Sequence, residues 1–301
     1  MSPHKVAIIG AGAVGSTIAY TLVLKNVTTE ILLVDVDQAF LEGQVLDLSD
    51  TASVSSCKIK SASLKEAGQA DIILVTAGAK QKEGESRTSL VGRNYCILQS
   101  VVEGMKPIRS DAIMLMVSNP VDTLTQIAQE LSGLPMAQVF GSGTYLDTTR
   151  LRGLLSHILD VDSRSIHAYV LGEHGDSQFI PWSTASIAGR PLIDIQEFQK
   201  MDKELVRIKV AGKALKIIKL KGATHFGIGA CASDLCESII LNKNQIRPLS
   251  VFVPRLGCYL SMPAKLGTTG IKEIYEIPLT EAEEELLQAS ALSIMSVLSR
   301  V

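Results

Sequence analysis

The sequence predicts an α/β protein, with a doubly wound parallel sheet over residues 1–142 followed by an α+β domain over 143–301. Three observations predict it. Short apolar runs rich in β-branched residues recur through the first half, at 5–10 (KVAIIG), 30–35 (EILLVD), 70–78 (ADIILVTAG), 112–120 (AIMLMVSNP) and 137–143 (AQVFGSG). Each has the length and composition of a strand buried on both faces. Helix-length stretches at 14–25, 38–48 and 88–108 separate these runs, and such alternation is the pattern of a parallel sheet covered on both sides. From about Gly143 the punctuation changes. After a helical stretch at 146–158, the segments SIHAYVLGEHGDS, QFIPWSTASIAGRPL and VPRLGCYLSMPAKLGTTGIKEIY carry Gly and Pro at the intervals of antiparallel strands and hairpins.

Two further helices are expected. Residues 200–221 hold eight basic and two acidic side chains with apolar residues at helical spacing, which predicts an amphipathic helix with a solvated charged face. Thr280 and Glu283 stand in capping-box spacing ahead of an apolar stripe, so a long packed helix should follow Thr280.

With 29 basic against 31 acidic side chains, nothing in the charge favours nucleic acid or an anionic membrane, and small molecules are the expected partners. Val6 to Leu24 is uncharged and has the length of a membrane span. Gly10, Gly12 and Gly15 interrupt it, however, and Ser16, Thr17, Tyr20 and Thr21 follow, so a strand, turn and helix explain it better. The five cysteines (Cys57, Cys96, Cys231, Cys236, Cys258) are odd in number, scattered and without a C-x-x-C pair. They read as mostly buried, reduced thiols of a cytoplasmic protein with no metal site.

The turn between the first run and the first helix is Gly10-Ala11-Gly12-Ala13-Val14-Gly15, a G-x-G-x-x-G. Its first glycine permits the tight turn, its second lets a pyrophosphate approach the main chain, and its third allows close helix–strand packing at a helix N-terminus that favours negative charge. Asp35 follows 20 residues after Gly15 at the end of the second run, where a carboxylate can accept hydrogen bonds from an adenosine ribose. Together these predict a Rossmann-type dinucleotide site. The charges of Asp35 and Asp37, with no arginine close behind, favour NAD over NADP.

Residues 172–177, GEHGDS, set a histidine between two carboxylates. A metal site is disfavoured because the spacing is not that of H-E-x-x-H and Gly175 suggests a turn. A hydrolase is disfavoured because no G-x-S-x-G elbow is present. Hydride transfer to a keto group needs a proton donor, a partner to orient it, a cation to polarise the carbonyl and an anchor for a carboxylate. His174 is a candidate donor. Asp147 and Arg150, three apart on one helix face, are candidates for orienting partner and anchor. Arg87, in the polar stretch AKQKEGESRTSL, could arrive on a lid. Composition alone does not join these residues, and a satisfied histidine and a structural Asp–Arg pair remain open readings.

The motifs taken together resemble the L-lactate dehydrogenase branch of the lactate/malate dehydrogenase family, over essentially the whole chain. GAGAVGS, LVD, VTAGAKQKEGESR, VSNPVD, GSGTYLDTTRLR, HAYVLGEHGDS and KGATHFGIG occur in the family's order. The resemblance implies His174 as proton donor and acceptor, Asp147 as its orienting partner, Arg150 as carboxylate anchor and Arg87 as polarising cation on a mobile loop. It implies that Asn119 touches substrate oxygen and cofactor, that Thr76, Ala77 and Gly78 line the nicotinamide nucleotide, and that Thr224 walls the substrate pocket. Gln81 stands where malate dehydrogenases usually carry arginine. Enclosing a second substrate carboxylate without a cation is costly, so pyruvate and L-lactate are expected as substrates, in glycolysis and fermentation. Malate dehydrogenase, a broader 2-hydroxy acid dehydrogenase and a non-catalytic NAD-binding protein are the alternatives. Arg152 and His167 match positions at which allosteric bacterial relatives bind fructose 1,6-bisphosphate. A homotetramer is expected, formed without an N-terminal arm because the first strand begins at Lys5.

Overall fold

All five apolar runs form parallel strands. The structure, a computed structural model, describes residues 4–79 and 87–300, excluding the side chains of residues 87 and 88. The first half contains β1 (Lys5–Ile9), α1 (Ala13–Lys25), β2 (Glu30–Val34), α2 (Gln38–Ser49), β3 (Lys58–Ser61), α3 (Leu64–Ala67), β4 (Ile72–Val75), α4 (Arg87–Met105), β5 (Ile113–Met116), α5 (Val121–Ser132) and β6 (Val139–Gly141). The strand order β3-β2-β1-β4-β5-β6, parallel throughout, is that of the doubly wound dinucleotide fold. β4 (IILV) and β5 (IMLM) are buried at every residue because helices cover both faces. β3 has no counterpart among the expected runs. It is an edge strand, KIKS, with no fully buried residue, so no apolar run marks it.

The second half contains α6 (Tyr145–Leu159), β7 (Ile166–His167), β8 (Ser186–Ile187), β9 (Arg190–Pro191), α7 (Gln196–Gln199), α8 (Lys203–Lys221), α9 (Phe226–Ile240), β10 (Gln245–Val253), β11 (Cys258–Gly267), β12 (Gly270–Ile274) and α10 (Glu281–Leu298). Its strands divide between two sheets. β7, β8 and β9 form a small antiparallel sheet over a core that includes Leu151, Leu155, Ile166 and Phe198. β10, β11 and β12 instead extend the large sheet past β6, Ser250 pairing antiparallel with Gly141. Leu249, Leu260 and Met262 therefore share one apolar cluster with Ile8, Ile18 and Leu33 of the first half. At this junction the first turn of α5 meets the strands that carry the second half.

Cap chemistry explains the helix limits. α8 starts at Lys203, three residues later than the charge pattern suggests, because the Asp202 carboxylate accepts the Leu205 N–H, and it ends at Gly222 with φ +83°. A helix is present where the pattern predicts one, but most of its apolar residues are not covered and they do not gather on one face. Val206 and Val210 are buried, while Leu215 and Leu220 are 73% and 76% exposed, because α8 packs on α6 only over its early turns. The α10 capping box forms as read, Thr280 accepting the Glu283 N–H and Glu283 accepting that of Thr280. Cys231, Cys236 and Cys258 are buried and Cys96 is exposed, all as free thiols. Among the described residues no helix is long and apolar enough to cross a membrane, and no cluster of three metal-ligating side chains occurs.

Candidate active site

The glycine-rich turn carries the chain from β1 into α1 so tightly that a Cβ on Gly15 would stand 1.9 Å from the Gly10 carbonyl oxygen. Only glycine permits that approach. Gly12 is the helix N-cap and offers no side chain to the first amides of α1, and a Cβ built on it meets nothing within 4 Å. In front of Ala13 and Val14, the first residues of α1, there is thus a positive helix end with open space before it. Asp35, just past β2, accepts the Ala11 N–H on Oδ2 at 2.7 Å and the Asp37 N–H on Oδ1 at 3.1 Å. Asp37 itself caps α2 by accepting the Phe40 N–H.

Gly10, Gly12 and Asp35 border a cleft of about 1100 Å³. Its floor is pinned where the Thr76 hydroxyl donates to the Gly10 carbonyl at 2.9 Å and the Ala77 N–H to that of Ile9 at 2.8 Å. The Ala77 carbonyl accepts from Ser118 Oγ at 2.6 Å, and Gly78 continues the same wall. Leu64, Ile97 and Val101 give the far end an apolar lining. The set fits NAD: the open helix end could take a pyrophosphate, Asp35 a ribose and the apolar end an adenine. The resemblance did not name that apolar end. It is assembled from α3 and α4, and the only local signal was the Ser63–Glu66 capping box that starts α3.

The second cluster is made of side chains. Asp147 and Arg150 lie one turn apart on α6, 2% and 8% exposed. Arg150 Nη1 donates to Asp147 Oδ1 at 3.1 Å, and Asp147 Oδ2 lies 2.6 Å from Nδ1 of His174. Gly172 places the histidine. With φ +83° it bridges to Ser261 on β11, and a Cβ there would meet Ser290 Oγ at 2.5 Å. Glu173, 1% exposed, donates its N–H to Ser290 Oγ and accepts from the Ser177 hydroxyl, tying the loop to α10. Asp176 is exposed. The His174 N–H donates to Oδ2 of Asp122, in the first turn of α5, at 2.7 Å. Asp122 was not singled out in the sequence, where it is one more acid at a helix start.

Burial works against the His174 imidazolium, but the charge and hydrogen bond of Asp147, reinforced by Asp122, outweigh it and raise the pKa above the ordinary 6.5. Burial likewise pushes the Asp147 carboxyl upward, and His174 and Arg150 overcome this to hold it below its ordinary 3.8. With Nδ1 committed to a carboxylate, Nε2 is the nitrogen left to exchange a proton with a ligand. The arrangement can donate a proton, stabilise the resulting charge change and hold an anion beside it.

Other expected residues lie nearby or elsewhere. Asn119 is exposed at the end of β5, its carbonyl accepting Asn94 Nδ2 at 2.9 Å. Thr224 is half-buried between α8 and α9. Arg87 opens α4, but its side chain, like Gln81 with Lys80 and Lys82, lies outside the described residues. Arg152 on α6 donates Nε to the Ala168 carbonyl at 2.9 Å and lies over the Tyr169 ring at 5.2 Å. Burial lowers its pKa. His167 is exposed on β7.

Residues 4–141 match the family model described as lactate/malate dehydrogenase, NAD binding domain, and residues 144–300 match that of the lactate/malate dehydrogenase alpha/beta C-terminal domain. The chain is 57% identical to L-lactate dehydrogenase A of Rhizopus oryzae over 293 residues, covering 97% of this chain and 92% of that one. It is 41% identical to the L-lactate dehydrogenase of Lacticaseibacillus casei over 308 residues, covering 98% and 94%. It superposes with TM-score 0.94 on the crystal structure of MGS-M5, a lactate dehydrogenase from a Medee basin deep-sea metagenome library. That similarity, at 36% identity, covers 100% of this chain and 99% of the other.

Proposed function

The chain belongs to the lactate/malate dehydrogenase family, and on that premise we propose that it interconverts L-lactate and pyruvate: lactate + NAD⁺ ⇌ pyruvate + NADH + H⁺. The observation that carries the reading is the buried Asp147 placed 2.6 Å from Nδ1 of His174 and paired on its other oxygen with Arg150. A nicotinamide held in the cleft would supply the hydride chemistry at the substrate's C2. His174, protonated on both nitrogens, gives the Nε2 proton to the carbonyl oxygen of pyruvate, and in lactate oxidation takes it back. Asp147 holds the ring in register and stabilises the imidazolium. Arg150 grips the substrate carboxylate through its guanidinium. Arg87 polarises the carbonyl, Asn119 bonds the substrate oxygen beside the cofactor, and Thr224 walls the pocket. In this division of labour residues 1–142 hold the cofactor and lend Gln81, Arg87 and Asn119 to the substrate, and 143–301 supply its carboxylate anchor and proton donor.

Gln81 supports pyruvate over oxaloacetate, because a neutral amide does not compensate a second buried carboxylate. Assaying NADH oxidation with pyruvate and oxaloacetate side by side tests this. Preference for pyruvate by at least tenfold in kcat/KM is expected, and preference for oxaloacetate would defeat the reading.

The same reading makes the protein a cytoplasmic homotetramer, and the exposed Tyr20 and Leu24 of α1 and Leu215 and Leu220 of α8 are apolar surface that association would cover. It also places a phosphate of fructose 1,6-bisphosphate at Arg152 and His167. An unchanged half-saturating pyruvate concentration on adding the sugar bisphosphate would sink that regulatory role.

A further inference from the structure

Asp122 is a carboxylate that neither the cofactor nor the proton transfer uses. It is 2% exposed, although an acid in the first turn of a helix needs only solvent and the helix dipole to explain it. Here it lies beneath the catalytic loop. Oδ2 accepts the His174 N–H, and Oδ1, also buried, has no hydrogen-bond partner among the described residues. The groups facing it come from three directions: His174 and Glu173 on the loop, the Ser250 hydroxyl on β10 and the Cys258 thiol on β11.

Burial pushes the Asp122 carboxyl up to about 6, while Ser250 and the His174 amide and charge restrain it and Glu173 adds to the rise. At neutral pH Asp122 is therefore largely ionised, and its charge favours the imidazolium of His174 in addition to that of Asp147. A buried carboxylate that completes a hydrogen bond on only one oxygen is costly. An asparagine or serine would anchor the amide without that charge, so anchoring alone does not account for a carboxylate.

We propose that Asp122 is a second positioning residue for His174, anchoring its main chain and, by its charge, extending to higher pH the range in which the imidazole holds its proton. The proposal rests on the dehydrogenase reading only in assigning the proton transfer to His174. The two are tested separately.

Asp122→Asn keeps the acceptor and the volume and removes the charge. The pH at which kcat/KM for pyruvate reduction falls to half should move down by about 0.5 to 1 unit, and Asp122→Glu should return it toward the wild-type position. If the asparagine variant does not fold, Asp122→Ser, which still offers an oxygen to the amide, carries the same measurement. Proton NMR of the ligand-free proteins reads the His174 ring directly among the five histidines, its signal being the one lost in His174→Ala. Its midpoint should fall by the same amount without any turnover. A His174 midpoint that stays in place in the charge-removed variant overturns the proposal. An NMR shift of the expected size, in a protein whose wild type reduces neither pyruvate nor oxaloacetate, would uphold it and count against the dehydrogenase reading instead.

Discussion

Along the cofactor cleft, glycines and the ends of β1, β2 and β4 set main-chain amides and carbonyls in place. Around His174 the determining groups are side-chain charges, Asp147 and Arg150 from α6 and Asp122 from α5. The difference appears in what a substitution would disturb. In the cleft an added methyl group meets either a wall, as at Gly15, or open space, as at Gly12. In the cluster a change of charge leaves the shape alone and alters which protonation state the imidazole prefers. On the proposed function, shape would govern affinity for the cofactor, and charge the proton transfer.

The largest effect should come from His174→Ala. Loss of a positioned general acid lowers kcat for pyruvate reduction by roughly 10² to 10⁴, while NADH affinity, measured by fluorescence, stays within about twofold because the cleft is untouched. A parallel loss of NADH binding would show that the two regions are not separable. Next, Arg150→Lys keeps the charge but not the planar fork, and should raise KM for pyruvate by roughly 10- to 100-fold. An unchanged KM would remove Arg150 from the carboxylate.

Within the cleft, the two glycines should part company. Gly12→Ala should weaken NADH binding about tenfold, some 1.4 kcal/mol, with a melting temperature close to that of the unsubstituted protein, because only ligand space is filled. Gly15→Ala should instead lower stability by roughly 1–3 kcal/mol, since its Cβ has to displace the Gly10 carbonyl. Equal melting temperatures would refute the distinction. The smallest effect is a displacement on the pH axis. Because His174 titrates above 6.5 and must be protonated to reduce pyruvate, kcat/KM for reduction should be full below that pKa and decline as pH rises through it. Lactate oxidation, which needs the neutral ring, should rise over the same interval. A decline with rising pH centred at or below 6.5 would contradict the raised pKa.

Much of the cleft was legible in the residues because its determinants are local. Glycine at 10, 12 and 15 and a carboxylate 20 residues on state a turn, a close approach and a strand end without reference to the rest of the chain. Edge strand β3 was not legible, since an exposed KIKS carries no apolar run. Nor was the junction of β10 with β6, which rests on one pairing, Ser250 with Gly141, between residues more than a hundred positions apart.

For the cluster, the residue types suggested chemistry, and the resemblance to a family assigned it to Asp147 and His174 across 27 positions. In GEHGDS the flanking Glu173 and Asp176 competed for the histidine on paper. The fold settles where its contacts go, binding Glu173 to Ser177 and Ser290 and bringing Asp147 and Asp122 to His174. Sequence by itself determined the strand–turn–helix of the cofactor site, because main-chain geometry there follows from adjacent residues. Only the tertiary structure decided which carboxylates share His174 and how deeply they are buried, because charge interactions depend on distance and solvent exclusion, which chain order does not encode.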